Sequence, residues 1–285
     1  MGSMEGRVAV ITGASRGIGA HIAERFAAEG AAVALVARTA EPGTSRLPGS
    51  LEEVAGRIRG RGGQAVAVRA DLTDPDDLES IAARAAEALG PVDTLVNNAG
   101  VNFYGPALEV AARRYELMFQ INVHAPFRLC QVLIPGMVQR GRGWVLNITS
   151  KQGRSPKGPP YPDWARDGSV PYAMCKTALE RLTTGLAAEL EGTGVSVNAL
   201  GTSGLVVTPG AAAVAPHTPD SVPVEPDDAM PDAALQLCIA PPGAITGRIA
   251  YSMESSAARS PRDPGRWRAR SEGRIMSKRS LSDQA

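Results

Sequence analysis

The chain has 285 residues, a formal net charge of +1 and three cysteines, Cys130, Cys175 and Cys238, with no C-x-x-C pair. That length suits one large α/β domain or two small ones, and the cysteine spacing gives neither a disulfide framework nor a zinc site, so no metal is expected. No apolar run approaches the ~18 residues of a membrane span, and no charged-then-apolar leader opens the chain. Met1-Gly-Ser ahead of Met4 looks like a cloning remnant, and a cytoplasmic protein without membrane contact is expected. Residues 253–285 hold eight Lys/Arg against four Asp/Glu and are read as a basic C-terminal extension to a domain spanning residues 1–252. Interleaved acids and a single aromatic, Trp267, favour a solvated or partner-packing segment there over a nucleic-acid contact.

In chain order, Val8, Val10 and Ile11 mark a short buried strand. Gly13, Gly17 and Gly19 punctuate a tight turn after it, and His21 to Glu29 continues as an Ala-rich helix. Ala32-Val-Ala-Leu-Val-Ala37 is the second strand and completes a βαβ unit. A Pro/Gly/Ser/Thr-rich loop from Thr39 to Ser50 leads to a short helix over Leu51 to Gly60. Gln64 to Arg69 is a third strand. Thr73-Asp-Pro75 starts a helix that runs to Leu89, and Thr94 to Asn97 is a fourth strand. Ala107 to Arg140 is helical with interruptions near Asn122 and Pro126. Trp144 to Ile148 is a fifth strand, residues 153–171 an irregular loop, and Tyr172 to Glu191 a strong helix with Leu179, Leu182, Leu186 and Leu190 at helical spacing. Val195 to Leu200 is a sixth strand, Gly201 to Asp227 a mobile loop, Met230 to Cys238 a helix and Arg248 to Tyr251 a seventh strand. The alternation predicts a Rossmann-type doubly wound parallel sheet of about seven strands with helices on both faces.

Two stretches carry chemistry. Strand, glycine turn and helix start over Val8 to Gly19 make a phosphate cradle, because glycines let the backbone approach an anion and a helix N-terminus presents free N–H groups. Tyr172-Ala-Met-Cys-Lys176 places a phenol and an ammonium one turn apart on one helix face. A cation so placed is expected to lower the tyrosine pKa toward a value useful for proton transfer.

Thr12-Gly-Ala-Ser-Arg-Gly-Ile-Gly19, Asn97-Asn-Ala-Gly100, Asn122, Ser150 and Tyr172-x-x-x-Lys176 together resemble the short-chain dehydrogenase/reductase family along about 250 residues. The resemblance implies that Ser150 hydrogen-bonds the substrate oxygen, that Tyr172 is the general acid/base and that Lys176 binds the nicotinamide ribose. It further implies that Asn122 holds a water in a proton relay. Gly13, Ser15, Arg16, Gly17, Ile18, Gly19, Asp71, Leu72, Asn98, Ala99 and Gly100 would line the cofactor site with Tyr172 and Lys176. Gly201-Thr-Ser-Gly204 stands where the family has Pro-Gly, and Thr208 is the candidate for the carboxamide contact.

The second strand ends Val36-Ala37-Arg38, without the carboxylate that holds the ribose hydroxyls in NAD enzymes. Arg16 and Arg38 are expected on an extra phosphate instead, so the expected cofactor is NADP(H). Ser150 and Tyr172 are 22 positions apart, wider than is usual in the family, and the added loop carries Tyr161 and Trp164 as candidate substrate contacts. The expected reaction is reduction of a bulky, mostly apolar ketone, or the reverse oxidation. The alternative is a non-catalytic NADP(H)-binding regulatory or structural protein. Self-association as a dimer or tetramer is expected through helices spanning about 108–140 and 172–191.

Overall fold

Strands β1 (Val8–Thr12) and β2 (Ala32–Ala37) are buried along almost their whole length, as only strands covered on both faces can be. The side chains divide by the two-residue period of a strand. Ala9, Ile11, Val33 and Leu35 enter one apolar cluster, while Val8, Val10, Ala32, Ala34 and Val36 enter the other. In the computed structural model, which describes residues 2–214 and 223–253, the remaining strands are β3 (Gln64–Arg69), β4 (Thr94–Asn97), β5 (Gly143–Ser150), β6 (Val195–Thr202) and β7 (Ile249–Tyr251). They form one parallel sheet in the order β3-β2-β1-β4-β5-β6-β7. The basic extension and part of the 201–227 loop lie outside the described residues.

Helices α1 (Gly17–Ala28), α2 (Leu51–Gly60) and α8 (Ala229–Ile239) cover the first face, with Phe26, Leu51, Ile58 and Met230 as anchors. On the opposite face, α3 (Pro75–Leu89), α5 (Ala125–Gln139) and α6 (Val170–Glu189) supply Leu78, Ile81, Leu129, Met137 and Ala187. Two further helices, α4 (Ala112–Phe119) and α7 (Pro209–Val214), stand at the strand ends. Among the described residues no helix is long and apolar enough to cross a membrane. Ser50 caps α2, its Oγ accepting the Glu53 N–H at 3.2 Å, and Asp74 caps α3.

The elements depart from sequence expectation in several places, among them the 201–227 stretch, expected as a mobile loop, which opens with the last two residues of β6 and carries α7. Helix α1 begins at Gly17, not near His21, because Gly17 takes a positive φ of 57° that leads from the turn into the helix. Strand β5 runs on to Ser150, since its pairing with β6 continues through Thr149↔Gly201 and Ser150↔Thr202. The 153–171 loop contains an ordered 3₁₀ turn at Asp163–Arg166, and α6 starts before Tyr172, at Val170. The leucine stripe of α6 packs on its own sheet: Leu179 is buried, and Leu186 and Leu190 lie against the core. The faces left outward on α5 and α6 carry Phe127, Val138, Val170 and Met174 instead.

A π-turn, Gln120–His124, joins α4 to α5. The Asn122 side-chain amide donates to the Met118 carbonyl at 2.8 Å, the acceptor that the Asn122 backbone N–H would use in a regular α-helix. A second donation, to Val101 O at 2.8 Å, ties the turn to the loop after β4.

Across the middle of the sheet runs a buried polar ladder. Asn97 Nδ2 donates to Asn147 Oδ1 at 2.9 Å, Asn147 Nδ2 to Thr183 Oγ1 at 2.9 Å, and Thr183 Oγ1 to Leu179 O at 2.8 Å. Breaking such a ladder leaves a buried donor unmatched. Asn147→Leu is therefore expected to lower stability by about 1–3 kcal/mol, read as a drop in urea midpoint with the slope unchanged.

Candidate active site

The sheet order reverses between β1 and β4, and the strand ends there open a crevice. Thr12 closes β1 on one side of it. Its Oγ1 accepts the N–H groups of both Asn98 and Ala99 at 3.0 Å, while Asn98 Nδ2 donates to Thr12 O at 2.8 Å and to Gly13 O at 3.3 Å. A Cβ on Gly13 would lie 2.8 Å from the Ala99 backbone, and one on Gly19 would lie 2.3 Å from Asn98 Nδ2 and 2.7 Å from Gly13 O. Any larger residue would fill the cradle. Ser15 is buried, Ile18 is half-buried against the core, and no side chain caps the first turn of α1. Its N–H groups are thus left for an anion. Thr208 packs against Gly17, its Oγ1 accepting the Ala211 N–H at 3.0 Å. The strap carrying Thr208 is clipped at its base by buried Glu225, which accepts from the Gly204 N–H and from Ser252 Oγ.

Arg16 and Arg38 do different things. The Arg16 guanidinium donates to Pro48 O and Gly49 O, both at 2.8 Å, and so fastens the 39–50 loop. Burial, followed by the charge of Arg38, holds it below its ordinary pKa. Arg38 is exposed at the end of β2. Its charge also acts on Asp71, whose carboxyl is pushed up by burial but pulled below its usual range by two bonds from Thr73 and by Arg38 and Arg69. Leu72 points into the core, so only its backbone can face a ligand.

Four side chains of the expected centre converge beyond β4 and β5. Ser150 lies beside the Tyr172 phenol and favours its charged form. Lys176 is 3 % exposed, donates to Ile148 O at 2.8 Å and lies 5.3 Å from the Tyr172 ring centre. Asn122 is fully buried, and its Oδ1 has no partner in the protein. That oxygen would lie 3.0 Å from a Cβ on Gly100, with Lys176 Nζ 3.8 Å from the same point, so Gly100 keeps the space between them clear. An orphaned acceptor beside an ammonium, next to an uncapped glycine cradle, fits a dinucleotide with its ribose at Lys176.

The electrostatics correct one expectation. The Tyr172 phenol is pushed up, not down: burial dominates, the neighbouring Tyr104 and Cys175 add to it, and Ser150 offsets only part. The Lys176 ammonium, which points at Ile148 O, is itself lowered to about 8 by the same burial.

Three residues near this centre had no motif to announce them. Ser150 Oγ donates to Gln152 Oε1, and Gln152 Nε2 donates to Asp167 at 3.4 Å. Tyr104 lies near Tyr172, and burial pushes its phenol up. The loop holding Asp167 reaches Tyr104's loop through Gly105 N–H to Gly168 O, at 3.0 Å. The rule that ligands bind past strand ends could have flagged Tyr104, in the loop after β4. Of the two aromatic residues expected at the substrate, Trp164 lines cavities on either side of the loop, including one of about 500 Å³ against the outer face of α6. Tyr161 is 49 % exposed and lines neither.

A family profile described as short chain dehydrogenase matches residues 7–218. Oxidoreductase UcpA of Salmonella typhimurium is 34 % identical over 235 residues, covering 81 % of this chain and 82 % of that protein. Gluconate 5-dehydrogenase of Gluconobacter oxydans is 34 % identical over 198 residues, 70 % and 71 % of the two chains. The crystal structure of a 3-oxoacyl (acyl-carrier-protein) reductase from Agrobacterium tumefaciens with NADP bound superposes with a TM-score of 0.74. It is 29 % identical and covers 87 % of this chain and 93 % of that one.

The Lys176 shift has a measurable signature. Between pH 8 and its ordinary pKa of 10.5, the unfolded chain holds this proton and the folded chain does not, so stability rises with pH across that window. Relative to Lys176→Met, the parent protein is expected to gain on the order of 3 kcal/mol between pH 8 and 10.5 in urea titrations. Parallel stability–pH curves for the two proteins would contradict a lowered Lys176.

Proposed function

The chain belongs to the short-chain dehydrogenase family, and from that membership we propose that it is an NADP(H)-dependent oxidoreductase interconverting a ketone and a secondary alcohol. The observation that carries the reading is the meeting of Ser150, Tyr172, Lys176 and Asn122 at one point beyond the strand ends. The cofactor, when bound, supplies or accepts the hydride. The rest falls to the side chains.

Ser150 Oγ, held by Gln152 beside Tyr172, orients the substrate oxygen against the phenol. Tyr172 keeps its proton at neutral pH and is suited to give it to a nascent alkoxide. Lys176, lowered to about 8, exchanges between ammonium and amine near neutrality and stands ready to pass a proton on. Asn122 Oδ1 offers the acceptor for the next step outward.

The substrate body is read as bulky and mostly apolar. Trp164 and the Tyr251 ring provide flat apolar walls at the ends of β5–β7, and Tyr104 stands across the centre. Phe127, Val138, Val170 and Met174, exposed on α5 and α6, support self-association as a dimer or tetramer.

NADP(H) is preferred over NAD(H) because β2 ends in Arg38 with no carboxylate to repel a phosphate. Arg16 secures the loop beside it, and the relatives include one solved with NADP. A charge-assisted bond contributes roughly 1.5–3 kcal/mol, so a preference of about a hundredfold is expected. Arg38→Asp should erase or invert it in kcat/KM measured with NADPH and NADH; equal efficiencies in the parent protein would refute the assignment.

The reaction itself is tested by Tyr172→Phe. Turnover of an accepted ketone should fall by at least a thousandfold, while NADPH affinity, measured by fluorescence titration, stays within about threefold. Near-parental turnover would remove Tyr172 from the acid/base role.

A further inference from the structure

We propose that Gln152, oriented by Asp167, fixes Ser150 as a hydrogen-bond acceptor, and that the ketone taken by this centre carries a hydroxyl on the carbon next to its carbonyl. The proposal rests on the reading of Ser150 and Tyr172 as the reacting centre.

A serine hydroxyl has a single proton to give and two lone pairs to offer. The Ser150 proton goes to Gln152 Oε1. The Gln152 backbone N–H, 3.4 Å from Ser150 Oγ, takes one lone pair. The other is left for the Tyr172 side, where Ser150 lies beside the phenol. Both bonds to Gln152 are local, because Ser150 closes β5 and the chain turns back at once through a 3₁₀ turn, Lys151–Gly153. Thr177 Oγ1 fastens that turn to α6 by donating to Gly153 O at 3.0 Å.

Asp167 sets the direction of the Ser150–Gln152 bond. A side-chain amide offers an oxygen on one side and N–H groups on the other, and Gln152 turns its Nε2 to Asp167 Oδ2 at 3.4 Å. The reversed amide would set its oxygen against a carboxylate, which only accepts, so the oxygen stays on Ser150. Asp167 is held in its turn: its Oδ1 accepts the Ser169 N–H at 3.0 Å, at the start of α6. Gly168, at a φ of 78°, gives its carbonyl to the Gly105 N–H at 3.0 Å. A Cβ there would lie 2.9 Å from the Gly105 nitrogen, so this corner admits only glycine.

Tyr172 has the opposite polarity. Burial holds its phenol above the ordinary pKa, so at neutral pH it is an O–H donor. A donor and an acceptor side by side match a carbonyl oxygen and a hydroxyl on adjacent carbons. The phenol donates to the carbonyl, the hydroxyl donates to Ser150 Oγ, and the second bond aims the first. A plain ketone brings an acceptor alone and leaves the Ser150 lone pair unmatched at a position only 6 % exposed. On reduction the carbonyl carbon gains the hydride, its oxygen gains the Tyr172 proton, and the product is a vicinal diol. No bond of the hydroxyl held by Ser150 breaks.

Binding of 2-hydroxy-1-phenylethanone and of its methyl ether, which lacks the donor, is compared by isothermal titration into the full chain with NADP⁺. The hydroxy ketone is expected to bind about tenfold more tightly. Gln152→Met frees the Ser150 proton and should bring that ratio down to about one. Gln152→Glu combined with Asp167→Asn exchanges donor and acceptor between the two positions yet keeps an acceptor on Ser150. The pair should recover most of the ratio, which a merely structural loss would not. A ratio near one in the parent protein, a ratio unmoved by Gln152→Met or not recovered by the paired change, or no binding of the hydroxy ketone at millimolar concentration would each overturn the proposal. Donor-selective binding with no NADPH oxidation on either compound would instead leave the acceptor at Ser150 standing and refute the ketone reduction. Reduction of both compounds with equal KM would do the reverse.

Discussion

One threonine hydroxyl holds the crevice together. Where the sheet order reverses between β1 and β4, the two strand ends diverge and their backbone N–H groups lose sheet partners. Thr12 Oγ1 takes two of them, from Asn98 and Ala99, and Asn98 returns its amide to the Thr12 and Gly13 carbonyls. The glycine turn and the β4 loop are thereby one rigid piece. Only glycine fits at position 19, because Asn98 lies where a side chain would be, and Gly100, two residues on from Asn98, leaves open the space between Asn122 and Lys176. The glycine cradle and the cluster of Ser150, Tyr172, Lys176 and Asn122 therefore share a single foundation.

Burial sets the electrostatics beyond it. The same loss of water drives Tyr172 up and Lys176 down, because it penalises the charged form of each. The resting proton stays on the phenol, and the ammonium is the easier of the two to discharge. A pair tuned by attraction alone would show the opposite order. On the proposed acid/base reading such a site needs a supply route more than a stronger acid, and the orphaned Asn122 oxygen is the acceptor that reading would use.

Much of this was legible in the chain. The extents of β2, β3, β4, α2 and α3 follow from apolar runs and from punctuation at Gly30, Ser50, Pro75 and Gly90, because those signals are local. The Tyr172–Lys176 pair follows from helical spacing. What escaped depends on contacts distant in sequence. β5 is longer than its apolar run because β6 pairs with its polar end, through Thr149 and Ser150. Gln152 and Asp167 matter through a chain of side-chain bonds, and Tyr104 only because its loop meets residue 168. No periodicity reports such meetings. Arg16 and Arg38 look alike in sequence, and only the carbonyls of Pro48 and Gly49 tell them apart.

The π-turn at Asn122 has a bearing on how this chain can change. It accommodates one residue more than an α-helix would over the same rise, and each residue of helix turns the chain by about 100°. Everything downstream is thus rotated by that phase. It is in this phase that Leu129, Leu133 and Met137 meet the sheet and Phe127 and Val138 face outward. Deleting a single residue here would swing the whole of α5 about its axis, whereas point changes on either side would leave its bearing alone. The segment is consequently open to drift by substitution and closed to drift by length, and the asparagine whose oxygen faces Gly100 is also the pin that keeps a fifteen-residue helix in register.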